Sequence, residues 1–283
     1  AIGTNPGNPL GTLSGIKTVA SASGGIATFP GLSINKSGAG YTLNATTTAS
    51  GVSAGASGGF NITPAAANHL AFTTQPTSAQ AAAGIGPVRV TALDQNDNID
   101  TNFTASVTLG ITGGTGGANL SGGGATAPGI KTGVTTFASP SVDLTGTGYQ
   151  LTATTGSISA TQNSAAFNIT AGTATKLAFI VQPGSATAGT AIPGNPGTLT
   201  VAAQDAQGNT VPGFTSNITL TIGNGPAASV SGTATVPASG GIAAFTDARI
   251  NQSGTGYQLL ASSGALTTSL STSFNITPAG VSA

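Results

Sequence analysis

The sequence has no cysteine, methionine, tryptophan or glutamate, and only one histidine. Without cysteine it can form neither disulfides nor thiolate metal sites, and cysteine usage leaves the redox compartment open. Charged residues make up 4% of the 283-residue chain, against about a quarter of an ordinary globular domain. Six basic and six acidic side chains cancel, so the chain cannot neutralise a row of phosphates or hold an anionic membrane by charge. Nucleic-acid and membrane partners are not expected. Nucleophilic and general acid–base schemes lack their usual members, because the aspartates are mostly isolated along the chain, so the chain is not expected to be an enzyme or to carry a cofactor. No apolar run reaches the roughly 18 residues needed to span a bilayer, and the first residues lack the basic and apolar regions of a signal peptide.

What remains is glycine, serine, threonine, alanine and β-branched residues. Apolar residues make up 38% of the chain and mean hydropathy is +0.23, so the chain should fold, because disorder goes with low hydrophobicity and high net charge. Scarce helix formers and abundant Thr, Val and Ile favour strands. The surface must be hydroxyl and amide.

Self-similarity carries most of the information. GYTLNA at Gly40–Ala45 recurs as GYQLTA at Gly148–Ala153 and GYQLLA at Gly256–Ala261, with Tyr41, Tyr149 and Tyr257 at steps of 108. Phe29, Phe137 and Phe245 keep the same step. FNIT begins at Phe60, Phe167 and Phe274, and HLAF at His69 is matched by KLAF at Lys176, at steps of 107. A period of this length fits one immunoglobulin-sized sandwich of about 100 residues and exceeds any solenoid repeat. In the third repeat, strands are predicted at 177–182, 199–204, 218–222, 243–245, 257–261 and 273–276, separated by Gly, Pro and Asn clusters. Alternation turns Leu177 and Phe179, Tyr257, Leu259 and Ala261, and Phe274 and Ile276 inward, with Leu70, Phe72, Tyr149, Leu151, Ala153, Phe167 and Ile169 as counterparts in the second repeat. The structural core expected from the whole chain is Phe29, Tyr41, Phe60, Leu70, Phe72, Phe137, Tyr149, Phe167, Leu177, Phe179, Phe245, Tyr257 and Phe274. Each tyrosine is placed to form a tyrosine corner, its hydroxyl bonded to upstream backbone.

The order KLAFxxQP, VxxQDxxGNxV, GxAxFxxxxIxxxGxGYxLxA and SxxFNI resembles the bacterial Ig-like repeats of large, low-charge surface proteins. Lys176–Pro183, Val201–Val211, Gly241–Ala261 and Ser273–Ile276 carry it, and the likeness covers the whole chain. It implies an all-β chain of tandem immunoglobulin-like β-sandwich domains at 1–67, 68–174 and 175–283. The first is expected to be incomplete: Ala1 aligns near Thr221 and Ile222, so its early strands have no counterpart. Upstream residues or a neighbouring subunit's strands are expected to cover its apolar face by strand addition, and the array to extend beyond both ends. Partners are therefore copies of the chain or adjoining repeats.

Asp94, Asp97 and Asp100 in DQNDNID are the calcium candidates, and the run resembles the calcium motif of cadherin linkers. It aligns with DAQGN at Asp205–Asn209, which reads as a turn inside a domain, and a turn is the preferred reading. His69 reads as a solvated junction residue. Lys17 and Lys131 share GIKT, but with no glutamate to assist, an isopeptide crosslink is disfavoured. Asn-x-Ser/Thr sequons begin at Asn35, Asn44, Asn61, Asn102, Asn119, Asn168, Asn217, Asn251 and Asn275, and read as chance in so hydroxyl-rich a chain. The glycine runs 113–117 and 122–124 read as loops. The expected role is a structural repeat of an extracellular filament, stalk or giant cell-surface protein. An adhesin or carbohydrate-binding array is the alternative.

Overall fold

The computed structural model describes residues 1–19, 24–122, 132–156 and 158–280. Lys131 and the glycines at 123–124 lie outside them. Among the described residues the regular elements are all β-strands, and no helix is long and apolar enough to cross a membrane.

The third repeat is a complete two-sheet sandwich. In one sheet Gly194–Gln204 lies between Lys176–Pro183 and Ile242–Phe245, antiparallel to both. In the other, Gly254–Ser262 lies between Phe274–Thr277 and Asn217–Asn224, and Thr235–Pro237 extends the edge. Ala186–Thr187 crosses over to pair parallel with Phe274–Thr277. The second repeat has the same plan: His69–Thr74, Val88–Leu93 and Val134–Phe137 face Ala79–Gln80, Phe167–Thr170, Gly146–Thr155 and Thr108–Thr112. The tandem immunoglobulin-like class follows from this sheet order.

Each complete sandwich has its own core. Leu199, Val201, Ile218, Leu220, Phe245, Tyr257 and Leu259 are buried together in the third domain. Leu70, Val88, Val90, Phe137, Tyr149, Leu151 and Phe167 are buried together in the second, with Phe72 packed on the rim. Each large apolar side chain so buried contributes about 1.5–3 kcal/mol, which makes these sets the main stabiliser.

The GxGY motif encodes a bulge. In all three repeats the pairing between the tyrosine strand and the FNI strand shifts register between the glycine and the tyrosine, as in Gly254↔Ile276 followed by Tyr257↔Phe274. Gly40, Gly148 and Gly256 sit there at φ of 85°, 73° and 75°, a region that glycine enters without steric cost. Their N–H groups donate to the side-chain oxygens of Asn61, Asn168 and Asn275 at 2.9–3.0 Å, so three of the nine sequons are asparagines already used to fix the bulge. Tyr41, Tyr149 and Tyr257 are fully buried, lie about 6 Å from Phe60, Phe167 and Phe274, and donate to the carbonyls of Lys36, Leu144 and Gln252. Gly114 belongs to a close approach, since a Cβ there would overlap the Tyr149 ring.

The described residues of the first repeat follow the later part of this plan. Gly38–Tyr41 pairs with Phe60–Ile62, and Asn44–Ala45 with Gly55–Ala56. Ile2 bridges to Leu43, the place that Ile222 takes opposite Leu259. Leu13 and Tyr41 are its buried apolar residues. Phe29 and Phe60 are only half-buried, and Leu10, Ile16, Ile26 and Val52 are exposed. An open trough of about 780 Å³ runs past Leu13, Phe29, Leu32 and Leu43.

Candidate functional site

The most organised polar chemistry lies where one domain meets the next, and it is built from the Asp-x-x-x-Asn turn of the QDxxGNxV motif. Asp94 and Asp205 follow a core strand directly, and both carboxylates are buried, as are Asn98 and Asn209 four residues on. Within each turn the aspartate N–H donates to the asparagine carbonyl at 2.9 Å. The carboxylate accepts in return from the asparagine's N–H and its side-chain Nδ2. The turn needs one residue in the left-handed region, Asp97 at φ 58° in one copy and Gly208 at φ 93° in the other.

The same atoms reach across to the preceding domain. Asn98 Nδ2 donates to the Asn35 carbonyl (2.9 Å), while Asn98 Oδ1 accepts from Ser37 N–H (2.9 Å). Asp94 Oδ2 accepts from Ala65 N–H at 3.0 Å. At the second junction Asn209 Nδ2 donates to the Asp143 carbonyl (2.8 Å), Asn209 Oδ1 accepts from Thr145 N–H (3.0 Å), and Asp205 Oδ2 accepts from Gly172 N–H (3.0 Å). The two sets match atom for atom. Measured from each tyrosine, Asn35 and Ser37 hold the positions of Asp143 and Thr145, and measured from each FNI phenylalanine, Ala65 holds that of Gly172.

Additional contacts differ between the junctions. Asp100 Oδ2 accepts from Ala67 N–H at 3.0 Å, and the Lys36 ammonium donates to the Asn96 carbonyl. His69 Nε2 lies 3.2 Å from Asp97 Oδ1, and in the next domain Lys176 Nζ donates to the Ala206 carbonyl at 3.1 Å. Asp143 is also held by the Asn119 side chain and N–H.

Burial pushes the Asp94 and Asp205 carboxyls up, but the hydrogen bonds they accept outweigh it, and both titrate below the ordinary 3.8. For Asp94 the donors are the Asn98 side chain and the N–H groups of Asn98, Ala65 and Asn96. For Asp205 they are the Asn209 side chain and the N–H groups of Gly172, Asn209 and Gln207. Asp143 is lowered as well, first by the Asn119 side chain and then by its N–H.

Two sequence readings change. DQNDNID is a turn, but it sits at the end of its domain where the neighbour docks, so it joins domains through hydrogen bonds. Its carboxylates are not assembled as ligands: Asp94 and Asp100 are committed to N–H donors, and Asp97 is exposed toward His69. Among the described residues no group of three or more His, Cys, Asp or Glu is placed to hold a metal ion. His69 is half-buried and flanked by Asn68 and Asp97 of its own domain, so it is not a freely solvated residue. Lys17 is exposed. Asn98 and Asn209 were not singled out by residue type, although the spacing repeated in both complete domains was a signal for them.

No family model and no curated protein matches the chain. Solved structures similar to it include the Escherichia coli adhesin FdeC, 15% identical, with 99% of this chain and 85% of that one covered and a TM-score of 0.35. The adhesin InvE of Yersinia pseudotuberculosis is 17% identical, with 73% of this chain and 58% of that one covered and a TM-score of 0.31. Extracellular domains 3–5 of Drosophila OTK are 18% identical, with 77% and 67% covered and a TM-score of 0.23.

Proposed function

We propose that the chain is a structural repeat segment of an extracellular filament, stalk or giant cell-surface protein, and that it spans distance through β-sandwiches joined in series. The observation that carries this reading is the matching set of aspartate and asparagine contacts at the two junctions. A flexible string of domains has no need for a buried carboxylate–asparagine pair at each joint, whereas a spacer of defined reach needs the same joint every time. The surface agrees with this role, because sheet edges bearing hydroxyls in place of lysines tolerate close packing along a fibre. The partners on this reading are adjoining repeats and copies of the same module. One of them covers the open apolar face of the first domain by strand addition.

Pulling the tethered chain from its two ends tests the load-bearing role. Each complete sandwich should rupture as a separate event and release about 107 residues, a gain of roughly 350 Å at about 3.3–3.6 Å per residue. A smooth extension without two equal steps would refute the reading. Antibody labelling of intact native cells tests the placement: the epitope should be reachable without permeabilisation.

A further inference from the structure

Both Asp-x-x-x-Asn turns of the chain are occupied from within, each by the end of the domain before it. The receiving groups are a backbone carbonyl and an N–H two residues later in the loop before the tyrosine strand, plus one N–H just after FNIT. The third domain has the same three groups. Counting from Tyr257 they are the Asn251 carbonyl and the Ser253 N–H, and counting from Phe274 the third is the Ala279 N–H. The sequence FNITPA at Phe274–Ala279 repeats Phe60–Ala65 without change, and INQSG at Ile250–Gly254 differs from INKSG at Ile34–Gly38 in one residue.

The loop is also held in the same way. Tyr257 donates to the Gln252 carbonyl at 3.1 Å, as Tyr41 does to Lys36 and Tyr149 to Leu144. This pins the Gln252–Ser253 peptide, which carries the N–H of residue 253 and directly follows the carbonyl of residue 251, so little ordering remains to be done on binding. Among the described residues, Asn251 O, Ser253 N and Ala279 N make no hydrogen bond, and Asn251 and Ser253 are exposed.

We infer that the end of the third domain formed by Asn251, Ser253 and Ala279 is a docking surface for the Asp-x-x-x-Asn turn of a further immunoglobulin-like domain joined to it in series. The partner's asparagine amide would bridge Asn251 and Ser253, and its aspartate would accept from Ala279. A second copy of this chain docking side by side does not suit the surface, because its own two turns are already filled. The inference deepens the serial-spacer reading and rests on it.

The test is amide hydrogen exchange on the full chain and on a fusion in which a second copy of residues 173–280 follows Ala279 directly. In the full chain Ser253 and Ala279 should exchange rapidly, while Thr145 and Gly172 are protected. In the fusion Ser253 and Ala279 should slow by about tenfold or more. Asn209→Ala in the appended copy alone should return Ser253 to its rapid exchange while leaving Ala279 slowed. A second fusion, with residues 66–172 after Ala279, presents the Asp94 turn in place of the Asp205 turn. If Ser253 and Ala279 exchange as fast in both fusions as in the unextended chain while Thr145 and Gly172 stay protected, the docking inference is overturned and the serial reading stands. If Thr145 and Gly172 are themselves unprotected, both are overturned.

Discussion

At the scale of single residues, the repeats serve as internal controls for one another. Ala82 sits at φ 62° where the third domain has Gly189 at φ 81°, and the two make the same bond, Ala82 N–H to the Val142 carbonyl and Gly189 N–H to the Ile250 carbonyl. An L-residue in this region costs about 1–2 kcal/mol, part of which glycine returns through its looser unfolded chain. Ala82→Gly should therefore raise the stability of the second domain by up to about 1 kcal/mol, read from its urea midpoint at unchanged slope. Thr200 Oγ1 is buried without a hydrogen-bond partner. Thr200→Val keeps the shape and removes the stranded hydroxyl, so the third domain should gain about 1 kcal/mol in the same measurement. A loss in either variant would mean that the position is held by something other than the conformation or hydroxyl named here.

At the scale of the turn, the buried asparagine does two things: it neutralises lone pairs of the carboxylate and spans the joint. Asn209→Ala removes both, and hydrogen bonds to a charged group are each worth about 1.5–3 kcal/mol. The third domain should lose stability on that order, and the Thr145 amide should exchange faster while amides inside the second domain keep their rates. The pH dependence follows from the lowered carboxyls. In the unfolded chain Asp94 and Asp205 return to about the ordinary 3.8, so between the folded and unfolded values the unfolded state binds more protons and stability rises with pH. Their contribution is complete above the unfolded value and is lost as pH falls through the lower, folded one. Unfolding free energy should thus be flat from neutral pH down to about 5 and drop in acid below about 4. In Asn209→Ala the acid drop should be shallower, because the carboxylate has lost one of its donors.

At the scale of the molecule, two cores of like composition meet at one junction, and a like junction ties the loop and linker of the first repeat to the second domain. Removing residues 1–67 should leave the second sandwich folded, since Leu70, Val90, Phe137 and Tyr149 are buried among residues of that domain. It should cost the stabilisation of the Asp94 turn, because the Ala65, Ser37 and Asn35 partners go with the deleted segment. A truncated chain whose second domain melts as before would show that the junction contributes nothing to folding.

Period-2 alternation between the Gly, Pro and Asn clusters placed six strands of the third repeat, and of the side chains expected to face inward Leu177, Phe179, Phe245, Tyr257 and Phe274 are buried while Phe29, Phe60 and Phe72 are only half-buried. Those features are local in origin: the pleat fixes which residues share a face, and apolar side chains leave water whatever lies opposite. The docking role of Asp94, Asn98, Asp205 and Asn209 was not readable in this way. Asp and Asn are expected in any turn for backbone reasons, and whether such a turn faces solvent or a neighbour depends on how two sandwiches abut. Burial then changed the meaning of these residues, because a carboxylate shut away from water must be surrounded by N–H donors: besides the donors of their own turns, Asp94 and Asp205 take one N–H each from Ala65 and Gly172, 29 and 33 residues away in sequence, while Asn98 and Asn209 reach partners 61 to 66 residues away.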